Sequence, residues 1–489
     1  MGDLEEFAKS HSTPSLRNEQ WGLERIDENT LLVEVRRGCW RLIIRKKAIV
    51  EIIKGRCEID GSLLDKKGQK IHIEESALLA PVIRARSKRA IVRIEGGDFI
   101  RTRSIAEAGS AFGLAICNIS KAWRRVMRLA LSHQVTLICG PKAVGKSTLC
   151  KLIANAFGDV WILDSDLGQP LLGPPGFVSI RRHTSKSFAL RIFIGDVTPR
   201  DAPQVYLAAI ERLITYWCMQ QDLPLLINTC GWVRGLGAEL LNSIIRVSRP
   251  QLCVAIGDCL PLGVRNIISL KPYKRPDYLR AQASAPQRRT LALARYFLAS
   301  TPNIVRVTNG ALADPNFAVG QAIAALPRFK ASIHKLRLGL VGAAAQQEIS
   351  FSDAIASLPG ALVGLASTID LTETLDETHL LLPSEIATVL PCRGLALVVA
   401  LDLTNNSLLL TLPDPHLLSD CDILLRGTLH ASIHLIYSGP QAPAFPFLAA
   451  NALASDPMRS RSNLQRRRNG AGRNDIYDDN RNSERKRKK

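Results

Sequence analysis

The residues with the clearest capacity for chemistry lie in the segment GPKAVGKST, which matches the pattern G-x-x-x-x-G-K-[ST]. The apolar run VTLIC precedes it and predicts a buried strand, and the following STLCKLIANAF has helical spacing. Glycines let backbone N–H groups curve around phosphate oxygens, and a helix N-terminus attracts negative charge. We therefore expect a phosphate-binding loop formed by Gly140, Pro141, Lys142, Ala143, Val144, Gly145, Lys146, Ser147 and Thr148. In such a loop, the lysine reaches the β- and γ-phosphates of ATP, and the serine hydroxyl binds Mg²⁺.

Two aspartates follow the next apolar run, VWILD. Parallel strands place their carboxyl ends at one edge of a sheet, so Asp166 is expected beside the phosphate-binding loop. A carboxylate there can bind Mg²⁺ or accept a proton from an attacking hydroxyl. The alternative is an aspartate that caps a loop.

Three further segments carry candidate residues. The glycine-rich segment NTCGWVRGLG contains Trp232, a flat face for a base, and Arg234, which could meet a phosphate or be solvated. The segment GDVTPR places Thr198 after another apolar run. Arg288 and Arg289 lie in QRRTLALARYF, which reads either as a lid that neutralises a transferred phosphoryl group or as an exposed basic helix.

Several classes of protein are excluded by missing motifs. The sequence has no N-K-x-D guanine motif, which argues against a GTPase, and no LSGGQ signature of ABC-type ATPases. Its cysteines form no CxxC pair, which argues against a zinc ribbon. No apolar run approaches the ~18 residues of a membrane span, so no membrane partner is expected. A P-loop kinase or an ATPase remains.

The charge points to a polyanionic partner. The chain has 489 residues and a formal net charge of +20. Residues 459–489 contain twelve basic and four acidic residues, a net charge of +8. The other +12 belongs to residues 1–458, so the rest of the chain is basic as well. One apolar helical stripe, containing Trp123 and Val126, leaves Arg124, Arg125 and Arg128 mostly outside it. These arginines read most simply as a solvated face, with RNA contact as the alternative.

The patterns predict an α/β protein with β-rich flanking domains. Alternation of apolar and charged residues predicts a small antiparallel sandwich or barrel near the N-terminus. Short apolar strands alternating with helices predict a mostly parallel sheet in the P-loop domain, and β-like runs return after it. The expected units are a flexible arm at 1–28, a β-rich domain at 29–114, the P-loop domain at 115–328, a smaller β-rich domain at 329–455 and a disordered basic tail at 456–489.

The motifs GPKAVGKST, LDSDLGQPLLGPPGFVSI and INTCGWVRGLGAELL together resemble the RNA polynucleotide 5′-hydroxyl kinase family. The resemblance covers about residues 135–300, and GQPLLGPPGFVSI is more similar to the nucleolar, pre-rRNA-processing branch than to the mRNA 3′-end cleavage-factor branch. It implies a polynucleotide kinase domain at 115–328, ATP and Mg²⁺ as cofactors, and RNA with a 5′-hydroxyl end as substrate. It also implies a location in the nucleus, and within it the nucleolus. The partner that it implies is a HEPN-type endoribonuclease.

The resemblance also assigns roles to individual residues. Lys146 and Ser147 match the phosphate-binding lysine and the metal ligand, and Asp166 matches the carboxylate that activates the RNA hydroxyl. Gln169, Thr198, Trp232 and Arg234 then lie on the substrate side, with the tryptophan stacking on the terminal base, and Arg288 and Arg289 match lid arginines. This lid has fewer arginines than that of the cleavage-factor branch. Two alternatives remain open: an ATP-binding scaffold in mRNA 3′-end processing, and an RNA-dependent ATPase.

Overall fold

The structure is a computed structural model, and it describes most of the chain between residues 23 and 431. The described ranges are 23–37, 41–44, 47–73, 81–97, 99–102, 119–220, 222–259, 261–272, 285–299, 322–346, 348–370, 380–402, 404–419 and 421–431. The predicted tail at 456–489 and most of the predicted arm at 1–28 lie outside these residues.

The N-terminal domain is an antiparallel β-sandwich. One sheet has the order β1-β2-β9-β4-β7 and the other β10-β3-β8-β5-β6. Alternate residues of strands such as AIVEIIK are buried, as expected where one sheet face meets a core and the other meets solvent. Side chains of both sheets, including Val33, Val50 and Ile83, share that core, which confirms the predicted sandwich. The strands are β1 (Leu23–Arg25), β2 (Thr30–Arg36), β3 (Arg41–Ile44), β4 (Ala48–Lys54), β5 (Cys57–Ile59), β6 (Ser62–Leu64), β7 (Lys70–Ile73), β8 (Val82–Ala85), β9 (Arg89–Gly96) and β10 (Phe99–Thr102).

The central domain is built on a seven-stranded sheet with the order β14-β13-β12-β15-β11-β16-β17. Its middle strands pair in parallel, and β13 and β14 extend one edge antiparallel. Strands such as VTLIC are buried at every position because helices cover both faces. The strands are β11 (Val135–Cys139), β12 (Trp161–Asp164), β13 (Phe177–Arg182), β14 (Leu190–Phe193), β15 (Leu225–Asn228), β16 (Leu252–Ile256) and β17 (Ile267–Leu270).

Among the described residues, two helices pack on each face of this sheet. Helices α1 (Lys121–Ala130) and α2 (Lys146–Phe157) share one core with Ile138. Helices α3 (Pro203–Gln220) and α4 (Leu236–Ser248) share the opposite core with Leu137. The predicted apolar stripe of α1 is confirmed, since Trp123, Val126, Met127 and Ala130 are its buried residues.

The C-terminal domain contains a second seven-stranded sheet, with the order β18-β23-β22-β20-β24-β19-β21. Its strands are β18 (Arg328–Ser332), β19 (Arg337–Leu340), β20 (Ala361–Ala366), β21 (Leu381–Leu382), β22 (Gly394–Asp402), β23 (Ser407–Thr411) and β24 (Ile423–His430). Helix α5 (Ala285–Phe297) precedes this sheet, and the short helices α6 (Phe351–Ala356), α7 (Ser384–Ala387) and α8 (His416–Ser419) lie between its strands. The predicted α/β fold with two β-rich flanking domains is confirmed. None of the described helices is long and apolar enough to cross a membrane.

Both flanking domains pack against elements of the central domain. The N-terminal turn at Asp60-Gly61 lies against α2, where Asn155 Nδ2 donates to the carbonyl of Asp60 at 2.8 Å. On the other side, Phe177 and Phe193 of the central sheet share a core with α5 and with the C-terminal sheet. The helix that follows the phosphate-binding loop is therefore held by the N-terminal domain, and the edge of the central sheet is held by the C-terminal domain.

We predict that Gly61→Ala destabilises this docking. Gly61 has φ of +96°, and an added Cβ would lie 2.5 Å from the carbonyl oxygen of Leu152 in α2. We expect about 1–2 kcal/mol of backbone strain and a further loss of about 1–3 kcal/mol from the clash, measured as the free energy of unfolding in urea.

Gly68→Ala provides the matched control. Gly68 has φ of +83° with nothing within 4 Å of an added Cβ, so this variant carries only the backbone strain. Equal losses in the two variants would show that the contact between the Asp60-Gly61 turn and α2 does not contribute to stability.

A candidate active site at the carboxyl edge of the central sheet

The phosphate-binding loop has the backbone shape that its sequence predicts. Gly140, Ala143 and Gly145 adopt positive φ angles of 145°, 63° and 104°, so the chain curls between β11 and α2. A side chain at Gly140 would lie 2.3 Å from the carbonyl oxygen of Ile256. Helix α2 has no side-chain cap and no acidic residue in its first turn. Its first N–H groups therefore face the loop as donors for an anion.

Lys146 is buried at the start of α2. Its Nζ donates to the carbonyl oxygen of Pro141 at 2.9 Å, so the side chain folds back over the loop. Burial lowers the pKa of the Lys146 ammonium, and the charge of Asp166 acts in the opposite direction. The lysine and this aspartate are thus close enough to interact electrostatically, as the strand order predicted.

Asp164 braces the loop that carries Asp166. Its Oδ1 accepts from Asn228 Nδ2 at 2.9 Å and from the Asp166 N–H at 3.3 Å, and its Oδ2 accepts from the Leu172 N–H at 2.8 Å. Burial, with the charge of Asp166 adding to it, raises the pKa of Asp164 to about 7. This carboxylate ties the ends of β12 and β15 together and fixes the chain between residues 165 and 172.

Asp166 itself closes a tight turn and keeps one carboxylate oxygen accessible. Its Oδ1 accepts from the N–H groups of Gly168 and Gln169 at 3.1 and 3.0 Å. Its Oδ2 takes part in no hydrogen bond with the described residues. The capping role, considered from sequence as an alternative, therefore coexists with an oxygen that can bind a metal or take up a proton.

The segment containing Thr198 contacts the Asp166 turn. A Cβ on Gly168 would lie 2.9 Å from the carbonyl oxygen of Val197. The Thr198 N–H donates to Asp196 Oδ1 at 3.0 Å, and Asp196 Oδ2 accepts from Thr428 Oγ1 of β24 at 2.8 Å. The C-terminal domain therefore holds the loop that brings Thr198 to this edge.

The glycine-rich segment after β15 lies directly against the phosphate-binding loop. A Cβ on Gly231 would be 2.5 Å from Lys142 Cγ and 2.8 Å from its backbone N and Cα. Trp232 is half-buried, because its ring covers Gly237 at the start of α4 and packs on the core beneath. Arg234 is exposed. The structure thus brings Trp232 to the site with part of its ring covered.

The predicted lid arginines lie on an ordered helix. Arg288 and Arg289 are in α5, and both are partly exposed. Leu293 and Phe297, which follow Arg289 at helical spacings on the same side of α5, are buried in the core shared with the C-terminal domain. A role of these arginines at the site stays a prediction.

Sequence reasoning left several site residues without a role. Asn228 is fully buried and bonds Asp164, and its carbonyl oxygen accepts from both N and Oγ of Ser165 at 3.0 Å. Tyr206 of α3 donates its hydroxyl to the Ser165 carbonyl at 2.8 Å. A polar residue at the end of a fully apolar strand, as in LLIN, was the signal that could have identified Asn228.

We predict that Asp164 makes the stability of the protein depend on pH. In the unfolded chain an aspartate loses its proton near pH 4, whereas in the folded protein the proton is kept up to about pH 7. The folded state binds more protons across this window, so stability falls as pH rises from about 4 to about 7 and then levels off, by about 4 kcal/mol at most.

Asp164→Asn cannot titrate and supplies the reference. The difference in unfolding free energy between wild type and this variant should shrink or reverse as pH rises through the same window. A difference that is independent of pH between about 3.5 and about 8, on either side of the window, would contradict the raised pKa.

We also predict that Gly231→Ala weakens phosphate binding, because the added Cβ would displace the phosphate-binding loop at Lys142. Affinity for a nucleoside triphosphate should fall by about tenfold or more, measured by isothermal titration calorimetry. Gly235→Ala changes the same segment at a φ of +55°, with nothing within 4 Å of the new Cβ, so it should lower stability through backbone strain but keep an affinity near that of wild type. Equal affinities for the two variants would refute this role of the Gly231 contact.

Comparison with known proteins places the central segment in a recognised group. Residues 140–298 match the family model described as mRNA cleavage and polyadenylation factor CLP1 P-loop. The chain is 26% identical over 379 residues to Polynucleotide 5′-hydroxyl-kinase NOL9 of Arabidopsis thaliana, a match covering 69% of this chain and 96% of that protein. It is 29% identical over 201 residues to Polynucleotide 5′-hydroxyl-kinase grc3 of Schizosaccharomyces pombe, covering 35% of this chain but only 27% of the relative.

A solved structure has the same fold. The Clp1p chain of a complex of wild-type Clp1p with Pcf11p (454–563) superposes with a TM-score of 0.51 at 15% identity, covering 82% of this chain and 99% of that one. The resemblance recognised in the sequence is thereby confirmed: residues 140–298 match the CLP1 P-loop family model, and the relatives named here carry the name polynucleotide 5′-hydroxyl-kinase, with NOL9 and grc3 agreeing with the nucleolar branch preferred from the sequence.

Proposed function

We propose that this protein is an ATP-dependent polynucleotide 5′-hydroxyl kinase that phosphorylates RNA. The observation that carries the proposal is the meeting of loops at one sheet edge: Gly231 lies against Lys142 of the phosphate-binding loop, and Asp164 bonds both Asn228 and the Asp166 turn. The phosphate-binding loop supplies donors for a triphosphate, and the Asp166 turn supplies a carboxylate for an incoming hydroxyl. The relatives named polynucleotide 5′-hydroxyl-kinase support the enzyme class predicted from sequence.

ATP fits the phosphate-binding loop by the chemistry of its donors. The N–H groups at the start of α2 and the ammonium of Lys146 would bind the β- and γ-phosphates. The hydroxyl of Ser147 and the carboxylate of Asp166 are oxygen ligands of the type that Mg²⁺ prefers, with water and phosphate oxygens completing its shell. Among the described residues, no group of three or more His, Cys, Asp or Glu side chains could hold a metal ion. Bound Mg²⁺ would neutralise charge on the triphosphate.

Asp166 is the base in the proposed reaction. Its Oδ2 accepts the proton of the RNA 5′-hydroxyl, and the hydroxyl oxygen forms a bond to the γ-phosphorus. The bond between that phosphorus and the β–γ bridging oxygen breaks, and ADP leaves. Lys146 stabilises the negative charge on the transferred group. The bracing of the Asp166 turn by Asp164 keeps the base in place through this step.

The remaining candidates would bind the acceptor strand. Trp232 presents the uncovered part of its ring for stacking on the terminal base, with Arg234 exposed beside it. Gln169 and Thr198 lie on the two loops that touch through Gly168 and Val197. Arg288 and Arg289 complete the proposal as lid arginines that reach the transferred phosphoryl group when both substrates are bound.

The biological setting forms the last part of the proposal. The names of the relatives support a role in RNA processing, and we infer internal transcribed spacer processing of pre-rRNA in the nucleolus. A HEPN-type endoribonuclease that generates the 5′-hydroxyl end would then be the partner. That partner stays a prediction drawn from the sequence resemblance.

We predict that Asp166→Asn lowers the rate of phosphoryl transfer to 5′-hydroxyl RNA by about 10²- to 10⁴-fold, because an amide cannot take the proton. Lys146→Ala should abolish transfer by removing charge stabilisation. Rates are measured as label moved from γ-³²P-ATP to the RNA.

Asp65→Asn is the control, since Asp65 is exposed in the N-terminal domain and its substitution changes net charge equally. It should transfer at the wild-type rate. If Asp166→Asn does so too, Asp166 is not the base. Phosphate release without labelled RNA would instead indicate an RNA-dependent ATPase, and tight ATP binding without turnover would indicate a scaffold.

A further inference from the structure

A basic surface forms where the N-terminal sandwich meets helix α1. Glu58 of β5 is buried there, with 8% of its side chain exposed. Both of its oxygens accept from Arg124 Nη1 of α1 at 2.8 Å, and Arg86, just after β8, donates to Oε2 as well. Two guanidiniums from different domains therefore share one carboxylate.

More positive charge is gathered at this surface than Glu58 can balance. Burial lowers the pKa of the Arg86 guanidinium, and the neighbouring charges of Arg124, Arg37 and Arg128 lower it further. Arg37 and Arg128 are both exposed. Both repel the Arg86 guanidinium, and a bound anion would offset that repulsion.

Backbone hydrogen bonds place two more basic residues beside these. The Arg37 N–H donates to the Lys88 carbonyl at 3.2 Å, and the Arg86 N–H donates to the Arg56 carbonyl at 2.8 Å. Lys88 and Arg56 are exposed. The arginine patch, as we name this surface, consists of Arg37, Arg56, Arg86, Lys88, Arg124 and Arg128.

We propose that the arginine patch binds the phosphate backbone of the RNA whose 5′ end enters the active site. The inference rests on the proposed function and adds to it a second, sequence-independent contact with the substrate. Arginine forks match phosphate oxygens two at a time, and a strand of regularly spaced phosphates suits a surface spread over several elements. An acidic protein would be the alternative occupant.

The position of the patch sets the length of RNA that can reach it. The turn at Asp60-Gly61, two residues beyond Glu58, contacts α2 at Leu152 and Asn155. An α-helix rises about 1.5 Å per residue, so these contacts lie about 9 to 14 Å along the axis of α2 from Lys146. The sandwich thus meets α2 away from the phosphate-binding loop, and we expect only RNA longer than the terminal nucleotide to occupy both sites.

The test removes charge from the patch without unpairing Glu58. In the full chain, Arg37→Gln combined with Arg128→Gln leaves Arg86 and Arg124 in place. Binding of a fluorescent RNA of ~20 nucleotides, followed by anisotropy over a salt series, should weaken roughly tenfold, and the slope of log K against log salt should become shallower by about 1.4. The matched control, Arg328→Gln with Lys335→Gln in the C-terminal domain, removes the same charge and should keep the wild-type slope.

Kinetics separate this inference from the proposed function. The patch variant should raise KM for the ~20-nucleotide RNA roughly tenfold and leave KM for a trinucleotide and kcat unchanged. Equal changes in the salt slope for the patch variant and the control variant would overturn the proposal. Fluorescent polyglutamate stands in for an acidic protein: a patch variant that no longer binds polyglutamate but still binds RNA as wild type does would also overturn it. If wild type transfers no phosphate, the proposed function fails, while the anisotropy series still decides whether the patch binds RNA.

Discussion

The buried carboxylate of Asp164 is the constraint on which the candidate site depends. It joins β12 to β15 through Asn228 and anchors the following loop through the backbone of Asp166 and Leu172. Placing a carboxylate in a buried position costs free energy, which the raised pKa of about 7 reflects. Three donated hydrogen bonds offset that cost, and in return the loop that carries Asp166 is held in one position beside Lys146.

The flanking domains complete the site by holding its outer parts. The N-terminal turn at Gly61 presses on α2, the helix whose first turn is to receive phosphates. The C-terminal strand β24 bonds the loop before Thr198 through Thr428, whose N–H donates to the carbonyl of Gly195 at 2.8 Å. A P-loop domain alone would leave both of these elements unsupported. The same docking that supports α2 also brings Arg124 to Glu58 and so creates the arginine patch.

The sequence was most informative where structure is local or follows from strand order. The phosphate-binding loop has its own glycine pattern, and Asp166 lies beside it because parallel strands end at one edge. The pairs Glu58–Arg124 and Asp196–Thr428 are separated by 66 and 232 residues, and no periodicity signals a contact between docked domains. The partial burial of Trp232 could likewise not be predicted from the sequence, since it depends on the close approach of Gly237. Asn228 could have been identified, because a polar residue ending an apolar strand requires a partner.

The central claim is that the phosphate-binding loop and the Asp166 turn act together on two substrates, ATP and 5′-hydroxyl RNA. It is tested most directly by locating the phosphate after wild-type full-length protein has reacted with γ-³²P-ATP and 5′-hydroxyl RNA. Digestion of that RNA to 5′-mononucleotides should leave the label in the nucleotide from the 5′ end, released with its new 5′-phosphate. Label found only in inorganic phosphate, or at any position other than the 5′ end, would contradict the account.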